Sequence, residues 1–151
     1  MNSPIACLLR QSSRVITPLA PPLQDLALLA LRLWLAWVFF RSGLTKVEDW
    51  DTTLFLFHEE YAVPLLPPTL AAWLGTGGEL LLPVLLALGL AGRFAALGLS
   101  VLNAVAVISY PALEGTALDF HYQWGLMLFT LLACGPGRLS LDALIRRQYR
   151  L

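Results

Sequence analysis

Four apolar stretches, each about as long as a bilayer crossing, take up most of the chain, and ionisable residues interrupt them at only a few places. They run over 24–43, 70–90, 94–113 and 118–135, each close to the ~20 residues with which a helix crosses ~30 Å of hydrocarbon. A soluble domain has no need of them. Composition agrees: 58% of residues are hydrophobic and 13% charged, well outside the range of ordinary globular chains. The expected class is an all-α membrane protein, a four-transmembrane-helix bundle. It divides into an N-terminal segment 1–23, the bundle 24–135 and a tail 136–151.

Charge is balanced overall, so nothing points to nucleic acid, but its distribution fixes an orientation. Arg10 and Arg14 precede the first span, Arg93 sits between spans two and three, and Arg138, Arg146, Arg147 and Arg150 follow span four. By the positive-inside rule these segments face the cytoplasm, with both termini inside. The opposite side receives Glu48, Asp49, Asp51, Glu59, Glu60 and Glu114, and Lys46 is its one basic residue clear of a span. The expected location is the inner (plasma) membrane of a bacterium. A cleaved signal over Leu26 to Phe40 is disfavoured, because Arg32 breaks the apolar run and no small-x-small site follows. Cys7 and Cys134 fall on the reducing side. Neither belongs to a C-x-x-C pair.

The one long connection, Leu44 to Thr69, contains a segment, Asp51 to Tyr61, that alternates Leu54, Phe55, Phe57 and Tyr61 with acidic residues. It predicts a short helix at the outer surface, capped within Asp51-Thr52-Thr53 and closed off by Pro64, Pro67 and Pro68. Trp50 and Trp73 fall where an indole rests among headgroups. After span four, Gly135-Pro136-Gly137 stops the helix, and Ser140 and Asp142 open an amphipathic C-terminal helix with Leu141, Leu144, Ile145 and Tyr149 on one face. Such a helix lies on the inner membrane surface.

The interruptions carry the functional argument. Glu79 lies about nine residues, or ~13 Å, from the outer end of span two, and must be protonated, paired or facing a hydrated cavity. Gly75, Gly78, Leu82 and Gly89 lie near it around the helix, and small residues there let a neighbouring helix approach. Arg32 in span one is the expected partner, in a buried Arg32–Glu79 pair. Arg32, Ala36, Phe39, Gly43 and Lys46 form one helical stripe if that helix continues to Lys46, and Lys46 by itself reads as an interfacial anchor. Arg41 lies half a turn away and reads as a snorkelling residue. In span four Asp119, Gln123, Thr130 and Cys134 trace a polar seam, and Ser100 and Asn103 in span three add to a polar interior. Trp34, Trp37 and Trp124 read as lipid-facing or packing residues. His58, beside Glu59 and Glu60, and His121 do not have the spacing of a zinc motif. No metal site is expected.

These residues resemble the DoxX-type membrane proteins. The resemblance rests on Arg32-x6-Phe39-x3-Gly43-x2-Lys46, on Gly77-Gly78-Glu79-Leu80-Leu81-Leu82, and on Gly135-Pro136-Gly137-Arg138-Leu139-Ser140-Leu141-Asp142-Ala143-Leu144, and covers Leu29 to Leu144. It implies a compact bundle with Arg32 and Glu79 facing inward. It also implies redox service, since such proteins look like small subunits of a thiosulfate:quinone oxidoreductase or of related membrane assemblies.

The chain has no haem C-x-x-C-H, cysteine cluster or glycine-rich nucleotide loop, so no cofactor is expected within it beyond a bound quinone. The leading expectation is a non-catalytic or quinone-interacting subunit of a membrane redox system with a redox-enzyme partner; a separate reading makes the acidic outer loop a docking surface for a periplasmic protein. Arg32 or His121 would hydrogen-bond a quinone carbonyl, and Glu79, His121 or Asp119 would exchange protons. The alternative is a small-solute transporter or an assembly or docking factor, which needs oligomerisation or a lateral opening in so small a bundle. No inverted repeat supports transport.

Overall fold

The computed structural model describes residues 4–149, with continuous side-chain detail from residue 19 onward. The side chains of Cys7, Arg10 and Arg14, and Arg150 altogether, lie outside the described residues. Every regular element among them is helical: α1 (Pro4–Glu48), α2 (Trp50–Glu59), α3 (Pro68–Leu88), α4 (Gly92–Ser109), α5 (Gly115–Cys134) and α6 (Leu141–Tyr149).

Three helices are long and apolar enough to cross a membrane: the Leu19–Glu48 part of α1, α3 and α4. Helix α5, with 20 residues, has the length of a crossing, but Asp119, His121 and Gln123 make its first half more polar. It packs against α4 and α1. Leu35, Leu86, Leu99, Leu128 and Leu131 from four helices meet in a core from which they are fully excluded from solvent. Trp34 and Trp37 point outward, 56% and 59% exposed, as lipid-facing residues do.

Helix α1 does not stop at Gly43 but runs to Glu48. Its added turn carries the Thr45 hydroxyl bonded to the Arg41 carbonyl (3.1 Å) and Lys46 Nζ bonded to Ser42 Oγ (2.9 Å). Asp49 then breaks the helix and caps the next one. Its carboxylate accepts from the Thr52 N–H at 3.0 Å and the Thr52 hydroxyl at 2.7 Å, bonds that hold the carboxyl below its ordinary pKa. The cap of α2 is therefore Asp49, not a residue of the 51–53 segment, and α2 starts at Trp50. Instead of lying free on the surface, α2 buries Thr53 and Phe57, and Phe57 packs with Ala71 and Ala72 of α3.

Helices α1 and α3 run antiparallel in the most extensive helix pairing of the bundle. They approach closely at Gly43, where a Cβ would stand 3.1 Å from the backbone carbonyl carbon of Glu79. This register sets Arg32 beside Gly89 at the other end of α3. Arg32 is 1% exposed; its Nη2 donates to the Leu139 carbonyl at 2.5 Å, and its Nη1 fills the space a Gly89 side chain would need. Gly89 also has φ +65°, the left-handed conformation that ends α3 at no cost to glycine.

The C-terminal motif locks onto the same turn. The Asp142 carboxylate accepts from the N–H groups of Ala91 and Gly92, both at 2.9 Å, and so caps α4, while the Asp142 N–H donates to the Gly89 carbonyl at 3.0 Å. Ser140 Oγ accepts from the Ala143 N–H at 3.2 Å, the cap expected of it. Asp25 of α1 completes the closure, taking the Arg138 N–H at 2.9 Å and its Nε at 2.6 Å.

Gly89→Ala should therefore destabilise the protein by about 2 kcal/mol or more, from left-handed strain and displacement of the buried guanidinium. Gly77→Ala, where a Cβ meets nothing within 4 Å, should be neutral or stabilising by up to about 1 kcal/mol. Thermal unfolding of the two detergent-solubilised variants measures the contrast.

Candidate functional site

A cavity of about 380 Å³ opens at the end of the bundle where α1 meets α2. Leu74 of α3 and Val101, Leu102 and Val105 of α4 give it apolar walls. Phe57, Tyr61 and Tyr110 form an aromatic roof, with Tyr61 edge-on to Phe57 at 5.0 Å and to Tyr110 at 5.2 Å between ring centroids. The Ala62 N–H donates to the Ser109 carbonyl at 2.8 Å and pins the α2–α3 loop to the end of α4.

Within this apolar shell stands one ion pair. Lys46 Nζ lies 2.6 Å from Glu79 Oε2, the two side chains being 21% and 15% exposed. Glu79 thus pairs with Lys46, and the expected Arg32–Glu79 pair does not form. The reason is register. Gly43 faces Glu79, so Lys46 is less than one turn from the acid, whereas Arg32 lies eleven residues before Gly43, roughly 16 Å along the helix. That is beyond the reach of a guanidinium. Arg32 serves the opposite end of the bundle, where Asp142 offers its charge a compensating carboxylate.

His121 lines the same cavity and is held by Asn103. The Asn103 amide nitrogen donates to the His121 carbonyl at 2.9 Å, which can only accept, so Asn103 Oδ1 must face the ring. His121 Nδ1, 2.8 Å from that oxygen, is then the protonated nitrogen of the neutral imidazole, and Nε2 is left as an acceptor. Ser109 Oγ, also in the cavity wall, is buried without a hydrogen-bond partner. Tyr61 adds a phenol whose pKa is pushed up by burial, with Tyr110, Glu60 and Glu79 adding to the effect. It remains a neutral donor at physiological pH.

Of the predicted site residues, the cavity unites Lys46, Glu79 and His121. Asp119 is exposed on α5 and does not line it. The seam of Asp119, Gln123, Thr130 and Cys134 faces outward, all four being exposed, because α5 turns His121, Trp124, Leu128 and Leu131 toward its neighbours. Asn103 does turn inward, whereas Ser100 bonds the Ala96 carbonyl of its own helix at 2.8 Å. His58 lies elsewhere, 3.1 Å from Thr69 Oγ1, and among the described residues no three His, Cys, Asp or Glu side chains group as metal ligands. Ser42, Tyr61, Ser109 and Tyr110 are site residues that the sequence pattern did not single out. Ser42, one turn before Lys46 on the same stripe, is the one it could have offered.

An all-helical membrane protein with an ion pair set in an apolar cavity is the class that these features define. The chain matches the DoxX family over residues 27–112 and belongs to it. The match ends before the Gly135–Leu144 motif, so the reading that carried the resemblance to Leu144 reaches beyond it. An uncharacterized protein of Haemophilus influenzae is 37% identical over 132 residues, covering 82% of this chain and 85% of its own length. No solved structure matches.

A double-mutant cycle tests the pairing. Lys46→Met and Glu79→Gln should each destabilise the protein, with a coupling of about 1 kcal/mol or more between them. Arg32→Lys and Glu79→Gln should instead be additive within about 0.5 kcal/mol.

Proposed function

We propose that this protein is a four-span inner-membrane subunit of a redox system, with α5 as the fourth crossing and both termini in the cytoplasm, and that its cavity receives a quinone-type ring. The positive-inside rule supports the orientation: Arg93, Arg138, Arg146 and Arg147 gather at the end opposite Asp49, Asp51, Glu59 and Glu60. The cavity then opens toward the outer half of the membrane.

The observation that carries the reading is the cavity itself, apolar along its walls and furnished with a few convergent polar groups, as small-molecule sites are. Its residues suit a flat ring bearing oxygen at opposite edges. Lys46 can donate to a carbonyl oxygen, and Glu79 holds its ammonium in place. The His121 Nε2 lone pair can accept from a hydroxyl, and Ser109 Oγ is an unpartnered polar atom within the wall. The aromatic roof and the leucine and valine walls exclude water from the ring. A quinone bound there would supply the electron-carrying chemistry that the chain's own residues lack, and a partner protein would exchange the electrons.

Native mass spectrometry of the protein released gently from its own membranes tests this. A stoichiometric quinone-sized mass or a redox-enzyme partner is the expected result, and Leu102→Trp, which fills the cavity, should abolish the small-molecule mass. A bare homo-oligomer, or a complex with a non-redox partner, transfers the weight to solute transport or to membrane assembly. If Glu79→Gln leaves partner-dependent quinone reduction unchanged, Glu79 has no proton-handling role.

A further inference from the structure

The end of the bundle opposite the cavity holds a second concavity, a groove of about 740 Å³ between α1, the start of α4, the Gly135-Pro136-Gly137 turn and α6. We propose that it binds the phosphate headgroup of an anionic phospholipid, with an acyl chain lying along its apolar side.

Five charged residues line the groove: Arg93, Arg138, Arg146, Asp25 and Asp142. Both carboxylates are already engaged. Asp25 takes two bonds from Arg138 and forms an ion pair with it at 2.6 Å, and Asp142 is bonded through both oxygens to the α4 N-terminus. Arg93 spends one N–H on the Ala133 carbonyl at 3.2 Å and forms no ion pair among the described residues. Arg146 is exposed and takes part in neither ion pair found among them. Two guanidinium groups therefore border the groove with no ion-pair partner among the described residues, and a phosphate diester presents the pair of oxygens that a guanidinium fork takes.

The groove's other residues favour a lipid over a free anion. Phe94, in the first turn of α4, is 63% exposed, and Ile145 of α6 is 40% exposed; with Leu28 and Pro136 they carry the lining from the arginines to hydrocarbon. Basic pockets between helices at the cytoplasmic side are where anionic headgroups bind membrane proteins. The site shares no residue with the ion-pair cavity, so it stands or falls apart from the redox reading.

The full-length protein in neutral detergent is titrated with phosphatidylglycerol, phosphatidylcholine or inorganic phosphate, with thermal stability and lipid retained in native mass spectrometry as readouts. Phosphatidylglycerol should raise the melting temperature and remain bound, and phosphatidylcholine should do neither. Arg146→Gln should weaken retention about fivefold, near the worth of one basic residue at an anionic surface, while Arg146→Lys keeps most of it. Arg93→Gln should add to the loss. Equal retention of phosphatidylcholine, or an unchanged response in Arg146→Gln, overturns the proposal. So does an equal stabilisation by inorganic phosphate, which marks a free-anion site.

Discussion

The close contact of α1 with α3 at Gly43 fixes the molecule. Because a side chain there would press on the α3 backbone at Glu79, the helices can slide very little, and every pairing along them follows from that single register. At one end it delivers Lys46 to Glu79; at the other it lays Arg32 under the turn at Gly89. In hydrocarbon, where apolar burial against lipid gives helices little reason to associate, close backbone approach and a few polar contacts must hold the bundle. The buried Arg32 and the half-buried Lys46 are therefore fastened at opposite ends of one interface.

The same principle explains the division of the molecule into two polar regions with an apolar core between them. Near Lys46, polar groups face a cavity and remain partly exposed. Near Arg32, the structure answers them only in part: the Leu139 carbonyl takes one guanidinium N–H and the C-terminal motif is drawn against the α3–α4 turn, while Arg32 Nε and Nη1 are buried without a hydrogen-bond partner among the described residues. A buried cation placed in this way specifies which segments meet more than it adds net stability. Both ends therefore keep unpaired hydrogen-bonding capacity, and at the cavity end it faces an open space, as Ser109 does.

Much of this was legible in the sequence. Apolar runs gave the helices and their order, and the stripe from Arg32 to Lys46 marked the buried face of α1. The roles of Ser140 as a helix cap and of the Gly135-Pro136-Gly137 stop could also be read directly. The choice of partner for Glu79 could not, because depth is read from span ends, and ending span one at Gly43 leaves Lys46 outside the apolar run although the helix carries it to within a turn of the acid. Gly43 held the missing information, but only as a close contact with a residue distant in the chain. The outward turn of Asp119 had a similar cause: polar residues two positions apart on α5 face opposite ways, and packing chose the His121 side. Asp49 capped α2 ahead of equally suitable neighbours because α1 outlasted the apolar run.

Asp142 caps α4 from 50 residues further along the chain. The N–H groups of Ala91 and Gly92 therefore gain this protein acceptor only once the chain has been made as far as Asp142. The bundle is closed by its final segment, as a belt is closed by its buckle. Until then the α3–α4 turn lacks its cap and the Arg32 guanidinium lacks the Leu139 carbonyl.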